Sequence, residues 1–105
     1  MTKYLIKQID EKKINDDLSF KISRAKRWSC RQSLERGLYR DSAIITADNL
    51  DKVFEEGNFK EYNDNIEYLD DFYSISCGNI IVDLDTKIAH LVCPIGFAIL
   101  KVNAI

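Results

Sequence analysis

The feature that most constrains this chain is a β-hairpin pattern near its C-terminus. Residues 79–84 and 88–92 are rich in β-branched and apolar residues, and they flank the turn-forming sequence Asp85-Thr86-Lys87. A two-residue loop would group Ile80 and Val82 with Ala89 and Leu91. A three-residue loop would instead place six residues on one face: Ile80, Val82, Leu84, Ile88, His90 and Val92. The sequence predicts the hairpin and leaves its register open.

Four other segments predict strands. Residues 97–102 are densely apolar, as expected of a buried strand, and they follow a predicted turn at residues 93–96. Residues 66–76 are rich in Tyr, Phe and Ile, so the C-terminal part of the chain is predicted to form an antiparallel meander. Nearer the N-terminus, residues 4–9 and 42–46 each predict a short strand.

A short helix is predicted for residues 48–56. Leu50, Val53 and Phe54 recur there at helical spacing. Asp48 is the predicted N-cap, and Gly57 is the predicted C-terminal stop. The strand at residues 42–46 would lead directly into this helix.

Residues 14–25 fit two templates. Leu18, Phe20 and Ile22 alternate with polar residues, which is typical of a strand. A helix would carry a stripe that leaves Phe20 on the polar side: Ile14, Leu18, Ile22 and Ala25. We favour the strand, because the alternation also accounts for Phe20.

A separate helix is predicted from Ser29 onward. Cys30, Leu34 and Leu38 form its apolar stripe, and Ser29 and Gln32 have the spacing of a capping box. One helix over residues 14–39 would carry two stripes on opposite faces, which predicts a break at residues 24–28. The 105 residues suit a single domain, 1–105, of the α+β class: an antiparallel sheet of five or six strands with two short helices.

The cysteines and the apolar segments bear on the compartment. Cys30, Cys77 and Cys93 lie far apart without a metal-ligand spacing, which is typical of reduced thiols. Lys7 interrupts the first apolar run, so no signal-peptide pattern is present. The most apolar stretch, residues 88–105, falls short of the roughly 20 residues that cross a bilayer. We expect a cytoplasmic protein that does not associate with membranes.

Charge is distributed unevenly along the chain. Residues 1–46 hold 11 Lys and Arg against 6 Asp and Glu, whereas residues 47–105 hold 4 against 11. The acidic excess is concentrated in residues 47–71, where aromatic side chains lie among the carboxylates. Carboxylates steer a basic partner and aromatic residues bury area against it. This pattern predicts a partner-binding surface: Asp48, Asp51, Glu55, Glu56, Phe59, Glu61, Tyr62, Asp64, Glu67, Tyr68, Asp70 and Asp71.

Residues 21–40 form a basic segment with an alternative function. Its cations are Lys21, Arg24, Lys26, Arg27, Arg31, Arg36 and Arg40. With Trp28 and Tyr39 among them, they could hold a nucleic-acid backbone and stack a base. The isoelectric point near 5.3 argues against nucleic-acid binding, and no RNA-recognition, KH or zinc-finger pattern is present. The other interpretation is that these cations pair with the acidic segment of the same fold.

Catalytic signals are sparse. His90 is the one histidine, and Asp83 could orient its ring and raise its pKa in one hairpin register. No activating motif surrounds Cys77 or Cys93. Residues 63–67 are rich in oxygen ligands but lack the EF-hand pattern for calcium. We therefore expect no enzyme activity, no catalytic residue, no metal and no cofactor.

The size, the acidic segment and the lack of catalytic motifs give the chain a known general profile. It resembles the small immunity proteins of bacterial toxin systems, such as those of contact-dependent growth inhibition. The resemblance implies a cytoplasmic protein that binds a cognate toxin domain, commonly a nuclease, and occludes its basic active site. Phe59, Tyr62 or Tyr68 would then be aromatic anchors of the acidic surface.

Overall fold

The computed structural model describes residues 1–58 and 64–102 and shows a six-stranded antiparallel sheet. The sheet order is β3-β2-β1-β4-β5-β6. The predicted α+β class and the sheet are confirmed, with three α-helices among the described residues where two were predicted. In chain order the elements are β1 (Thr2–Ile9), a short 3-10 helix (Glu11–Lys13), α1 (Asp16–Ser23), α2 (Arg27–Glu35), β2 (Tyr39–Ala47), α3 (Leu50–Gly57), β3 (Ile66–Tyr68), β4 (Ile80–Asp83), β5 (Ala89–Val92) and β6 (Phe97–Leu100).

Each face of the sheet is covered by its own layer. The α1–α2 pair buries one core, which we call the helix-pair core and which includes Ile22, Cys30 and Leu34. Helix α3 and part of the irregular segment before β4 bury the second, the α3 core, which includes Val53 and Ile75. Strand β4 lies between the two, so Ile80, Ile81 and Val82 are all buried. Burial on both faces explains why this strand is continuously apolar.

A β-bulge in β2 lets one strand serve both cores. Tyr39 pairs with Ile9 and packs in the helix-pair core, whereas Ala43 pairs with Ile6 and packs in the α3 core. The register shifts between Ile6 and Lys7, and the additional residue on β2 is Ser42. Its hydroxyl is buried and donates to the Ile6 carbonyl oxygen at 3.1 Å. Because of this additional residue, the odd-numbered side chain of Tyr39 faces the helix-pair core before the bulge, whereas the odd-numbered Ala43 faces the α3 core after it.

The hairpin adopts the grouping predicted for a two-residue loop. Ile80 pairs with Leu91 and Val82 with Ala89, so these four side chains share the helix-pair face. The loop is longer than either prediction, because the Asp83 amide donates to the carbonyl oxygen of Ile88 at 3.0 Å. The Asp83 carboxylate accepts from two loop amides, at 2.8 and 3.1 Å. A four-residue loop and a two-residue loop both contain an even number of residues, so they place the same strand residues opposite one another.

The predicted strand over residues 18–22 is wrong, because this segment lies in helix α1. Leu18 and Ile22 pack against the helix-pair core, while Phe20 is 57% exposed. Asn15 caps the helix by accepting a hydrogen bond from the Leu18 amide at 2.8 Å. Burial of the helical stripe outweighs the exposure of one phenylalanine, which Arg24 partly covers.

The predicted break between the first two helices is confirmed. Helix α1 ends at Ser23, Ala25 has a φ of 54°, and α2 begins at Arg27. The predicted capping box is wrong, because Ser29 lies inside α2, where its carbonyl oxygen accepts from the Ser33 hydroxyl at 2.7 Å. The residue before α2 is Lys26, which makes no side-chain cap.

Two other predictions need correction. Helix α3 is capped by Asn49 rather than Asp48, since the Asn49 side chain accepts from the Lys52 amide at 2.9 Å. The strand predicted over residues 66–76 is limited to Ile66–Tyr68, which pairs with β2 at the edge of the sheet opposite β6. The C-terminal meander therefore consists of β4, β5 and β6 alone.

Candidate protein-binding surfaces

The basic and acidic segments lie mainly on opposite sides of the sheet. Most of the basic residues are on α1, α2 and their connection, over the helix-pair core, whereas the acidic segment includes α3. Among ion pairs between described residues, one joins the two segments: Arg40 Nη1 lies 3.7 Å from Asp70 Oδ2. The same guanidinium donates to the carbonyl oxygen of Asp71. Pairing within the fold therefore accounts for Arg40, whereas Arg31 pairs with Glu35 on its own helix at 3.2 Å.

Helix α3 presents carboxylates to solvent because its apolar side faces the sheet. Val53 is fully buried, and Leu50 packs against the same core. The opposite side of the helix is left exposed, with Asp51, Phe54 and Glu55 on it. Asp48 is exposed immediately before the helix.

An open hollow of about 440 Å³ lies beside the start of α3, and we call it the acidic hollow. Strand pairing places Asp83 opposite Tyr4, and the alternation of β5 puts His90 on the same face. Among the described residues, the lining of the acidic hollow contains three carboxylates, three large apolar or aromatic side chains and no Lys or Arg: Tyr4, Asp48, Asn49, Leu50, Asp51, Asp83, His90 and Phe97. The arrangement joins negative charge to apolar area.

A second hollow, of about 200 Å³, adjoins the first, and we call it the apolar hollow. The two share Asp51 and Phe97. Its other lining residues come from α3 and from the β5–β6 turn: Phe54, Val92, Cys93, Pro94 and Gly96. Ile95, beside this lining in the same turn, is 94% exposed. Together the hollows form one surface on the α3 side of the molecule.

His90 remains an uncharged member of the acidic hollow near neutral pH. Burial lowers its pKa below 6.5, and the nearby Asp83 carboxylate offsets only part of that effect. The predicted effect of the Asp83 charge on this pKa is present, but the burial of His90 has the larger and opposite effect. Burial, followed by the charge of Asp83, raises the pKa of Tyr4, so its hydroxyl is neutral too.

The predicted partner-binding residues are divided among several places. Asp48 and Asp51 line the acidic hollow, and Glu55 is exposed on α3, 3.3 Å from Lys52. Glu56 is half-buried on the same helix. Asp70 and Asp71 lie beside Arg40, at the opposite end of the acidic segment.

The residues around β3 do not join the hollow. Glu67 pairs with Ile44 in the sheet, so alternation directs it to the face opposite Ile66 and the α3 core. Tyr68 is 51% exposed and contacts Phe72 edge to face. Asp64 is exposed before the strand. Phe59, Glu61 and Tyr62 lie outside the described residues.

Six lining residues of the acidic hollow were not among the predicted binding residues: Tyr4, Asn49, Leu50, Asp83, His90 and Phe97. Tyr4 and Phe97 belong to strands far apart in the chain, and the sequence pattern predicts only that they lie in the sheet. The sequence indicates Asp83 as a partner of His90, but the proximity of Asp83 to Asp48 and Asp51 depends on the pairing of β1 with β4. The hairpin register was the available signal, and it remained open in the sequence.

The basic segment contributes to a groove at the β6 edge of the sheet, which we call the β6 groove. It has a volume of about 440 Å³ and lies between the first turns of α2 and the edge strand β6. Trp28 is 69% exposed there, and Ile99 is 58% exposed. The lining is Arg27, Trp28, Arg31, Ile99, Leu100 and Lys101.

Other candidate chemistry is limited among residues 1–58 and 64–102. Cys30, Cys77 and Cys93 are free thiols, and burial raises the pKa of Cys30. In this part of the chain, no group of three or more His, Cys, Asp or Glu side chains is arranged to hold a metal ion. None of its helices has the length and apolar character needed to cross a membrane. Comparisons with protein-family models, curated proteins and solved structures gave no match to the chain.

Proposed function

We propose that this chain is a cytoplasmic inhibitor of the immunity type, which binds a basic toxin domain through the acidic hollow. The observation that carries the proposal is the convergence of Asp48, Asp51 and Asp83 on an aromatic-lined hollow whose described lining holds no Lys or Arg. Bound there, the toxin domain would have its active site covered. The chain itself would act by occlusion and not by catalysis.

The charge of the hollow suits a partner that acts on nucleic acid. A nuclease cleft carries Lys and Arg to neutralise phosphates, so it presents a concentrated positive surface. Three carboxylates in a hollow whose described lining holds no Lys or Arg attract such a surface over about one Debye length and raise the association rate. The carboxylates would then take the places that phosphates occupy in the toxin's substrate complex.

The aromatic and apolar residues supply the other part of an interface. Phe97 lies between the two hollows, and Phe54 is 39% exposed on α3. Partly exposed aromatic side chains surrounded by charge are typical centres of binding energy. The charge would therefore govern the encounter, while the aromatic side chains would slow dissociation.

Affinity capture from the native cells tests this proposal directly. The baits are the wild type, the double variant Asp51→Lys/Asp83→Lys, and the control Glu11→Lys/Asp16→Lys. The control makes the same charge change at exposed carboxylates next to and within α1, which covers the opposite face of the sheet. Circular dichroism first establishes that all three baits fold.

The wild type and the control should capture the same basic protein, and the hollow variant should not. The purified wild type should also inhibit the enzymatic activity of that protein at equimolar concentration. Equal capture by the hollow variant, or a captured partner that remains fully active in the complex, would contradict the proposal.

A further inference from the structure

The β6 groove combines an apolar sheet edge with positive charge, and its described lining shares no residue with the two hollows of the proposed inhibitor function. Strand β6 ends the sheet, and no other strand of the described chain pairs with its outer side. Its sequence is Phe97-Ala98-Ile99-Leu100, without a charged or proline residue. Exposed apolar edges of this kind are templates for another strand, and proteins usually block them.

The free backbone groups of β6 can be assigned from its pairing with β5. The Cys93 amide donates to the Gly96 carbonyl oxygen at 3.0 Å, which makes these two residues a hydrogen-bonded pair. Antiparallel pairs alternate, so Leu91 and Ala98 bond to each other, whereas Phe97 and Ile99 direct their N–H and C=O groups away from β5. Phe97 and Ile99 therefore offer donors and acceptors to an added strand.

The side chains around this edge define the chemistry of an occupant. Arg27, Arg31 and Lys101 supply three cations to the groove, and no carboxylate is among the described residues that line it. Trp28 and Ile99 supply exposed apolar area. The first turn of α2 has no acidic residue and no side-chain cap, so its amides also favour a negative group. An occupant that satisfies all of these features has both negative charge and apolar side chains.

We propose that the β6 groove binds an extended segment of a partner protein that adds to the sheet as a seventh strand and alternates acidic with apolar residues. Its backbone would bond to Phe97 and Ile99. On the α2 side its carboxylates would meet Arg27 and Arg31, and the aliphatic parts of these acidic side chains would lie against Trp28. On the other face its apolar side chains would pack beside Ile99, which pairs with His90. This mode draws its affinity from main-chain bonds and its specificity from alternate side chains.

Two other occupants fit the groove less well. A nucleic acid would use the cations and Trp28 but would leave the backbone groups of Phe97 and Ile99 without regular partners. A second copy paired through β6 would bring the Arg27, Arg31 and Lys101 side chains of both copies towards one another. Charge complementarity therefore favours the acidic segment.

The single tryptophan of the chain makes this proposal measurable, because Trp28 lies in the groove. The probe is an acetylated and amidated eight-residue peptide of alternating Glu and Val, titrated at low salt. We expect a saturable blue shift of the Trp28 emission, because the added strand covers its exposed ring. The same peptide with N-methyl groups on alternate residues should not bind, and a Lys and Val peptide should bind at least ~10-fold more weakly.

Variants locate the binding event. Arg27→Glu should weaken peptide binding by ~10-fold, whereas Arg36→Glu, the same change at the exposed end of α2, should alter it by less than about twofold. Ile99→Pro removes an outward donor and should abolish binding, while Ile99→Val should retain it. The acidic-hollow variant Asp51→Lys/Asp83→Lys should bind the peptide normally, which separates this result from the proposed inhibitor function.

Four outcomes would overturn the proposal. The first is the absence of an emission change up to millimolar peptide, and the second is binding of the peptide with the N-methylated backbone. The third is tighter binding of single-stranded oligothymidine than of the acidic peptide at the same salt concentration. The fourth is self-association of the protein that Ile99→Lys abolishes. The third would assign the groove to nucleic acid, and the fourth would assign it to a second copy of this chain.

Discussion

The hydroxyl of Tyr39 donates a hydrogen bond of 2.6 Å to the carbonyl oxygen of Gly78, across 39 residues of chain. This bond links the first residue of β2 to the turn that precedes β4. Both residues are buried, and burial raises the pKa of Tyr39 far above its ordinary value, so the hydroxyl keeps its proton. The bond is thus a neutral contact that positions the turn against the helix-pair core.

Removing this hydroxyl should destabilise the fold. Tyr39→Phe leaves a buried carbonyl oxygen without its donor, and we expect a loss of about 1–3 kcal/mol in the free energy of unfolding. Urea denaturation followed by circular dichroism measures the change. Tyr73→Phe is the matched control, because Tyr73 is 60% exposed and should change stability by less than about 0.5 kcal/mol. Equal effects would show that the buried bond contributes nothing.

Two glycines in left-handed conformations should respond differently to alanine. Gly78 has a φ of 90°, and a Cβ there would meet the backbone carbonyl of Ile22 in α1. Gly96 has a φ of 73° and open space around it. Gly96→Ala should cost about 1–2 kcal/mol for the backbone conformation alone. Gly78→Ala should cost at least about 2 kcal/mol more, because the backbone of α1 must move. Thermal unfolding of both variants measures the difference.

The helical state of residues 16–23 predicts unequal effects at two neighbouring apolar positions. Ile22→Ala should cost about 2–4 kcal/mol, because Ile22 is 4% exposed in the helix-pair core. Phe20→Ala should cost less than about 1 kcal/mol, since the side chain is mostly exposed and its defined contact is with Arg24. In a strand the two residues would share a face, so equal losses in urea denaturation would contradict the helix.

Residues 16–23 also show where sequence reasoning reached its limit. Both templates were evident, and the choice between them depended on how much of Phe20 the rest of the fold would cover. The covering of a side chain depends on the tertiary structure, and α1 buries the stripe that contains Leu18 and Ile22 while Phe20 stays exposed. The helix break was predictable because it follows from a local conflict between two stripes in one stretch of chain.

Residues 69–79 illustrate a second limit. Their Tyr, Phe and Ile content is typical of a strand, yet side chains from distant strands bind much of this backbone. The Gln8 side chain donates to the Tyr73 carbonyl oxygen at 2.8 Å and accepts from its amide at 3.1 Å, and Arg40 binds the Asp71 carbonyl oxygen. Because these contacts join residues far apart in the chain, the sequence of residues 69–79 does not indicate them. The acidic hollow has the same difficulty, because β1 brings Tyr4 to Asp83 from the other end of the chain.

His90 should make stability depend on pH in a defined direction. Burial lowers its pKa in the folded state, so the unfolded chain binds more protons between the ordinary value of 6.5 and the lower folded value. Stability should therefore be complete above pH 6.5 and decrease as pH falls through that window. The other titratable groups that face His90 are Tyr4, Asp48, Asp51 and Asp83.

The test compares urea denaturation of the wild type and His90→Gln across this range. The difference in stability between the two proteins should shift in favour of the variant as pH falls below 6.5. A difference that shifts towards the wild type on acidification would mean that Asp83 dominates the environment of His90.

Binding of the captured partner should depend on salt through the acidic hollow. Asp51→Lys/Asp83→Lys should lower the association rate by ~10-fold or more at low ionic strength and flatten its decrease with added salt. Stopped-flow measurements at several salt concentrations give both quantities. Glu67→Lys reverses one charge on β3, on the face of the sheet opposite the α3 core, and should affect the association rate much less. If the association rates of all variants depended on salt concentration to a similar extent, the acidic hollow would have no part in steering the partner.

The bulge at Ser42 has a consequence for how this chain tolerates insertions and deletions. Losing Ser42 would make Asp41 and Ala43 neighbours, and these residues already pair with the neighbours Lys7 and Ile6 of β1. The strand would lose its bulge and the bond from the Ser42 hydroxyl to Ile6, but Tyr39 would still pair with Ile9 and face the helix-pair core. Ser42 is therefore a spare letter in the reading frame of β2, whose loss leaves the phase between the two halves of the strand unchanged.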